Sequence, residues 1–130
     1  MKNKTSVLLF FLLILLWGLN SLAGVFDLYY VFNWYDVMMH TLGGVILGLM
    51  AIMLIRRFQT LSQFSILKKV IFIIMSGIIG GILWEVFEYF QDVYLQTAMQ
   101  VSLRDTMSDL VCDTIGAGIV AVVYWWNKKL

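Results

Sequence analysis

Asp105, Asp109 and Asp113 follow one another at four-residue spacing in "RDTMSDLVCDTIGAG", just where the chain becomes continuously apolar. Residues three and four apart share a helix face, so a helix carrying these carboxylates presents them on one side. Two other segments repeat the theme: Asp36 and His40 in "YDVMMHTLGG", and Glu85 and Glu88 in "WEVFEYF". One imidazole and several carboxylates form a donor set for a divalent cation. Hard oxygen ligands favour Mg or Mn, and the imidazole favours Zn, Fe and other transition metals. The same groups could work as general acid and base or relay protons. Either pair spacing alone is a weak signal, and agreement among three segments is a stronger one.

The elements that must position these groups are membrane helices. The chain has 130 residues, of which 62% are hydrophobic, and no proline; its mean hydropathy is +0.89. A spanning helix needs about 20 predominantly apolar residues. Four runs qualify, at about 7–24, 37–55, 70–90 and 106–126. They lack the alternation of barrel strands, and backbone in lipid must satisfy its own hydrogen bonds, so each run reads as a helix. The expected fold is all-α, a four-transmembrane-helix bundle occupying 1–130 as a single transmembrane domain. A formal net charge of +1 without a clustered basic face excludes nucleic acid as a partner. The single cysteine, Cys112, has no partner for an intramolecular disulfide and reads as a small buried hydrophobe.

Charge placement orients the bundle. Lys2, Lys4, Arg56, Arg57, Lys68, Lys69, Lys128 and Lys129 fall on one side, and Arg104 alone falls in the intervening loops. By the positive-inside rule both termini are cytoplasmic. The first run has a rival reading as a signal peptide, with Ser21-Leu22-Ala23 as the cleavage site. The segment "RRFQTLSQFSILKK" reads as a solvated loop anchored by lipid headgroups. Trp34, Tyr35, Tyr89, Tyr94, Trp125 and Trp126 read as aromatic belts at the two interfaces. Methionines such as Met38, Met39, Met99 and Met107 fill membrane cores far more often than they bind copper.

All eight acids lie on the outer side or in the outer half of a span under this topology. With about 1.5 Å of rise per residue, His40 and Asp109 lie roughly 6 Å inward, Glu85 roughly 9 Å and Asp113 about 12 Å. Each polar stripe continues into small residues: Gly43, Gly44 and Gly48; Gly81 and Gly77; Gly116, Ala117 and Ala121. Small residues mark close helix contacts, which places the ionisable groups inside the bundle. A mid-membrane charge costs about 2.5–3.5 kcal/mol on insertion scales, so a cation, shared protons or water must offset the acids. Asp105 is expected to cap the last helix, and Asp36 to mark the start of the second.

The three segments resemble the signature blocks of the YjdF-type small bacterial membrane proteins. The likeness runs from Tyr35 to about Gly118, at Asp36, His40, Gly43, Glu85, Glu88, Asp105, Thr106, Asp109 and Gly116. More distantly the chain is similar to VanZ-like proteins, whose pattern is met by Glu88, Gln91, Arg104, Asp109 and Gly116, with Asp113 where that family usually has Asn. The resemblance implies a multi-pass protein of the bacterial cytoplasmic (inner) membrane with a site built from these residues. The VanZ-like proteins carry an association with cell-envelope processes.

The leading expectation is an outward-facing site binding Zn, Mn or Mg through His40, Glu85, Glu88, Asp109 and Asp113. His40 or Glu88 would act as ligand or base, and Arg104 would meet an anionic group at the surface. If enzymatic, the site suits metal-assisted hydrolysis or transfer on a lipid-linked or phosphate-bearing envelope substrate. The alternatives are a cation- or proton-coupled transporter and an accessory module whose acids form a structural hydrogen-bond network.

Overall fold

The computed structural model describes residues 2–97, 99–100 and 102–129, with side chains from Lys4 to Asn127 in those stretches. The side chains of Lys2, Lys128 and Lys129, three of the residues used to orient the chain, lie outside the described set. Six helices follow one another: α1 Lys2–Phe26, α2 Leu28–Val31, α3 Asn33–Arg57, α4 Gln59–Ser62, α5 Ile66–Leu95 and α6 Leu103–Lys129. The described residues contain no strand. The four long helices are long and apolar enough to span a membrane.

The helices reach beyond the apolar runs because proline-free polar flanks continue the backbone hydrogen bonding. The stretch between the first two spans is itself largely helical, with Asp27 in the left-handed region (φ 52°) turning the chain into α2. Gln96, also left-handed (φ 54°), ends α5. The Ser65 hydroxyl caps the start of α5 by accepting the Lys68 N–H at 3.4 Å. One expectation is corrected at the start of α6. Ser102, not Asp105, is the cap: its hydroxyl accepts the Asp105 N–H at 3.2 Å. That bond spans three residues, as capping geometry requires, and leaves Asp105 inside the first turn.

The core is formed by α3, α5 and α6, each in contact with the other two. Helices α3 and α6 run parallel, with Gly44 and Gly116 at their crossing. A Cβ at Gly116 would stand 2.8 Å from the Val45 nitrogen, and one at Gly44 would stand 2.8 Å from the Asp113 carbonyl carbon. Both separations are forbidden, so the backbones are in direct contact, as small residues permit. Below the crossing, Ile52, Ile55, Ile73, Val120, Ala121 and Tyr124 close an apolar core.

Helix α1 stands outside this trio and lies against α3 and α2. Ala23 is buried beside Tyr35 and Met39. The Tyr35 hydroxyl donates to the Leu19 carbonyl at 2.9 Å, and the Tyr29 hydroxyl donates to Asn20 Oδ1 at 2.9 Å. At the opposite end Arg56 Nη1 donates to Thr5 Oγ1 at 2.8 Å. Most of the large apolar side chains of α1 are exposed, as suits a helix bathed in lipid.

Candidate metal centre

Asp113 sits where the three core helices meet. Glycines make the room: Gly43 is beside its Oδ1, Gly77 beside its backbone oxygen and Gly81 beside its Oδ2. The small-residue stripes therefore hold a carboxylate as well as joining helices. Asp113 is 4% exposed, and His40 Nδ1 donates to its Oδ2 at 3.2 Å. That bond fixes the ring. A neutral imidazole protonated on Nδ1 carries its lone pair on Nε2.

Nε2 faces two more carboxylates. Asp36 Oδ1 is 3.7 Å away, from one turn earlier on α3, and Asp109 Oδ2 is 4.0 Å away, from α6. One ligand atom each from Asp36, His40 and Asp109 lies within 4.8 Å of the others. These separations are too long for hydrogen bonds to Nε2. They do suit a shared ion, because two ligands each about 2.1 Å from a metal can stand up to about 4.2 Å apart. Both separations from Nε2 fall within that limit as they stand. Asp36 is 33% exposed at its side chain, whereas Asp109 is 5% exposed, so the group opens at the Asp36 end.

The remaining predicted residues are not all part of this group. Glu85 is buried, and one of its oxygens, Oε2, accepts from Gln100 Nε2 at 3.1 Å. The other, Oε1, is buried without a hydrogen-bond partner. Glu85 is near enough to Asp36 and Asp109 to repel both electrostatically, and it stands outside the three-atom set. Glu88, one turn along, accepts from Trp84 Nε1 at 2.8 Å on its own helix. Arg104 is exposed, and among the described residues no carboxylate pairs with it. Asp36, read from sequence as a boundary residue, is the first member of the cluster.

The connection between α5 and α6 completes the acid-bearing end. Asp92 gathers it: Oδ1 accepts from the Thr97 hydroxyl at 2.6 Å and the Met99 N–H at 2.8 Å, and Oδ2 accepts from the Gln100 N–H at 2.9 Å. So held, Gln100 sends its amide inward to both Glu85 and Thr106 Oγ1. No sequence signal marks Gln100, since its role depends on a turn that Asp92 shapes. Tyr29, between the spans, has its phenol pushed up to about 12, first by burial and then by repulsion from Asp36, Tyr35 and Glu88.

Comparison with known proteins then places the chain. Residues 2–129 match the family described as "Predicted membrane protein (DUF2238)". The chain belongs to this family. No curated protein and no solved structure matches it. For this DUF2238 chain the site is therefore read from its own chemistry. That chemistry is two carboxylates and one oriented imidazole at a glycine-lined junction, with a further buried carboxylate oxygen that lacks a hydrogen-bond partner.

Proposed function

We propose that the protein is a multi-pass component of the bacterial cytoplasmic membrane, with both termini cytoplasmic, whose acid-bearing end faces outward and binds a divalent cation. The observation that carries this reading is the Asp36, His40 and Asp109 trio around Nε2, backed by Asp113 on Nδ1. A carboxylate behind a ligating histidine sets its tautomer and orientation. Asp113, expected from sequence to be a ligand, is accordingly an orienting partner, and Asp36 takes the ligand place instead. One imidazole with two carboxylates suits Zn or Mn better than Mg, which demands oxygen and near-ideal octahedral geometry. Clustering of basic residues at the opposite end supports the orientation. The YjdF-type likeness supports the same residues, and the VanZ-like pattern supports an envelope role.

The chemistry this arrangement suits is metal-assisted hydrolysis or transfer on a phosphate-bearing, lipid-linked substrate. A bound cation would supply Lewis acidity. Glu85 Oε1, buried and lacking a donor, would accept a proton or a hydrogen bond from water in the site, Glu88 would serve as a further base, and the exposed Arg104 would meet an anionic group. A second reading, a proton relay, rests on one observation: carboxylate oxygens of Asp36 and Asp109 and a ring nitrogen of His40 lie within 4.8 Å of one another.

Metal analysis and calorimetry on the detergent-purified chain test this. Wild type should hold Zn or Mn near one equivalent; His40→Gln and Asp109→Asn should lose it, and Asp113→Asn should weaken it about 10–100-fold. Wild type without bound cation at any accessible concentration would refute the metal site, and proton flux in liposomes that is lost in Asp109→Asn would establish the relay.

A further inference from the structure

At the end of the bundle remote from the acids, the start of α1 and the end of α3 enclose a crevice of about 180 Å³ lined by Ser6, Met53, Arg56 and Arg57. Its lining is amphipathic, combining two arginines and a serine with a methionine. Arg56 is steadied by its bond to Thr5. Arg57 lies over the Phe58 ring, 5.9 Å from its centroid. Among the described residues no carboxylate pairs with either arginine. Every acid in the chain falls between Asp27 and Asp113, grouped at the other end of the spans.

Arginines in a last helical turn often just offset the helix dipole and its open carbonyls. Here Arg56 reaches across to α1 instead, and its partner Thr5 lies in the first turns of a second helix whose N-terminal dipole is positive. Two guanidinium groups and a positive helix end converge where the bilayer places its phosphates. Guanidinium is the side chain best matched to phosphate, offering a planar fork of donors. Met53 extends the lining toward the hydrocarbon, where a glycerol ester and chain would lie.

We infer that this crevice is a binding site for the headgroup of an anionic phospholipid, the phosphate between Arg56 and Arg57 and the acyl chain descending past Met53. It is independent of the cation site and would survive its failure.

Native mass spectrometry of the full-length chain with added phosphatidylglycerol or phosphatidylcholine tests the assignment. One phosphatidylglycerol should be retained in preference to phosphatidylcholine. Arg56→Gln with Arg57→Gln should weaken retention at least about tenfold, whereas Lys68→Gln with Lys69→Gln, an equal loss of charge nearby, should leave it within about twofold. Met53→Trp fills the crevice without altering charge and should also weaken it, which covers the case in which the arginine variant assembles poorly. Equal loss in both charge variants, equal retention of the two lipids, or displacement by millimolar inorganic phosphate alone would each overturn the proposal.

Discussion

Gly44→Ala tests the link between helix packing and the site. A Cβ at position 44 would lie 2.8 Å from the carbonyl carbon of Asp113 and 2.9 Å from its Cα, and nearer still to its carbonyl oxygen. Ordinary carbon contacts are about 3.5–4.0 Å, so α3 and α6 must part by at least about 0.7 Å, and by more to clear the carbonyl oxygen. The seam is equally close one turn on, where a Cβ added at Gly48 would stand 3.0 Å from Val120 Cβ. The His40 to Asp113 bond at 3.2 Å would stretch beyond hydrogen-bond range. Overpacking costs about 1–3 kcal/mol and a stranded buried polar group about the same again. Better helix propensity returns up to about 1 kcal/mol, for a net loss of about 1–5 kcal/mol. Gly118→Ala, with nothing within 4 Å of its Cβ, is the control and should be neutral or slightly stabilising. Denaturant titration in mixed micelles measures stability, and calorimetry with Zn or Mn measures the site. If Gly44→Ala matched Gly118→Ala in both, the claim that backbone contact at Gly44 holds the histidine in place would be wrong.

Two further outcomes follow from the acid-bearing end. Gln100→Ala should lower the unfolding free energy by about 1–3 kcal/mol, because it strips the donor from a buried carboxylate oxygen and unties α5 from α6; a variant as stable as wild type in the same titration would contradict that role. Tyr29, whose folded pKa of about 12 exceeds the ordinary value of 10, keeps its proton in the folded state while the unfolded chain loses it. Its stabilisation is therefore full below pH 10 and is lost as pH rises through about 12, and Tyr29→Phe should flatten that alkaline decline in a spectrophotometric unfolding series.

Much of this architecture was legible because the bilayer leaves few choices. Helices were demanded by apolar runs with nowhere else to bond, and their facing was readable from polar residues continuing into glycine and alanine. That reasoning brought His40, Asp109 and Asp113 to one level. It could not tell which imidazole nitrogen meets which acid, since that depends on a ring rotation set by Asp113 across a sequence separation of 73. Asp36 was undervalued because an acid at a helix start is usually a cap. Asp105 was overvalued for the same reason, with Ser102 three residues upstream of it taking the cap. Gln100 was invisible: the turn that aims it is built by side-chain bonds to Asp92, and no spacing rule encodes them.

The parallel contact of α3 with α6 also sets an order of assembly. His40 and Asp113 are 73 positions apart, and at about 5–20 residues per second the ribosome needs roughly 4–15 s to make the second after the first. Through that interval the nascent chain holds Asp36 and His40 in the membrane with no aspartate from α6 to meet them. Intramembrane polar groups of this kind are costly while they lack partners. A chain interrupted after α5 keeps that cost, and docking of the last helix removes it by bringing Asp109 and Asp113 to His40.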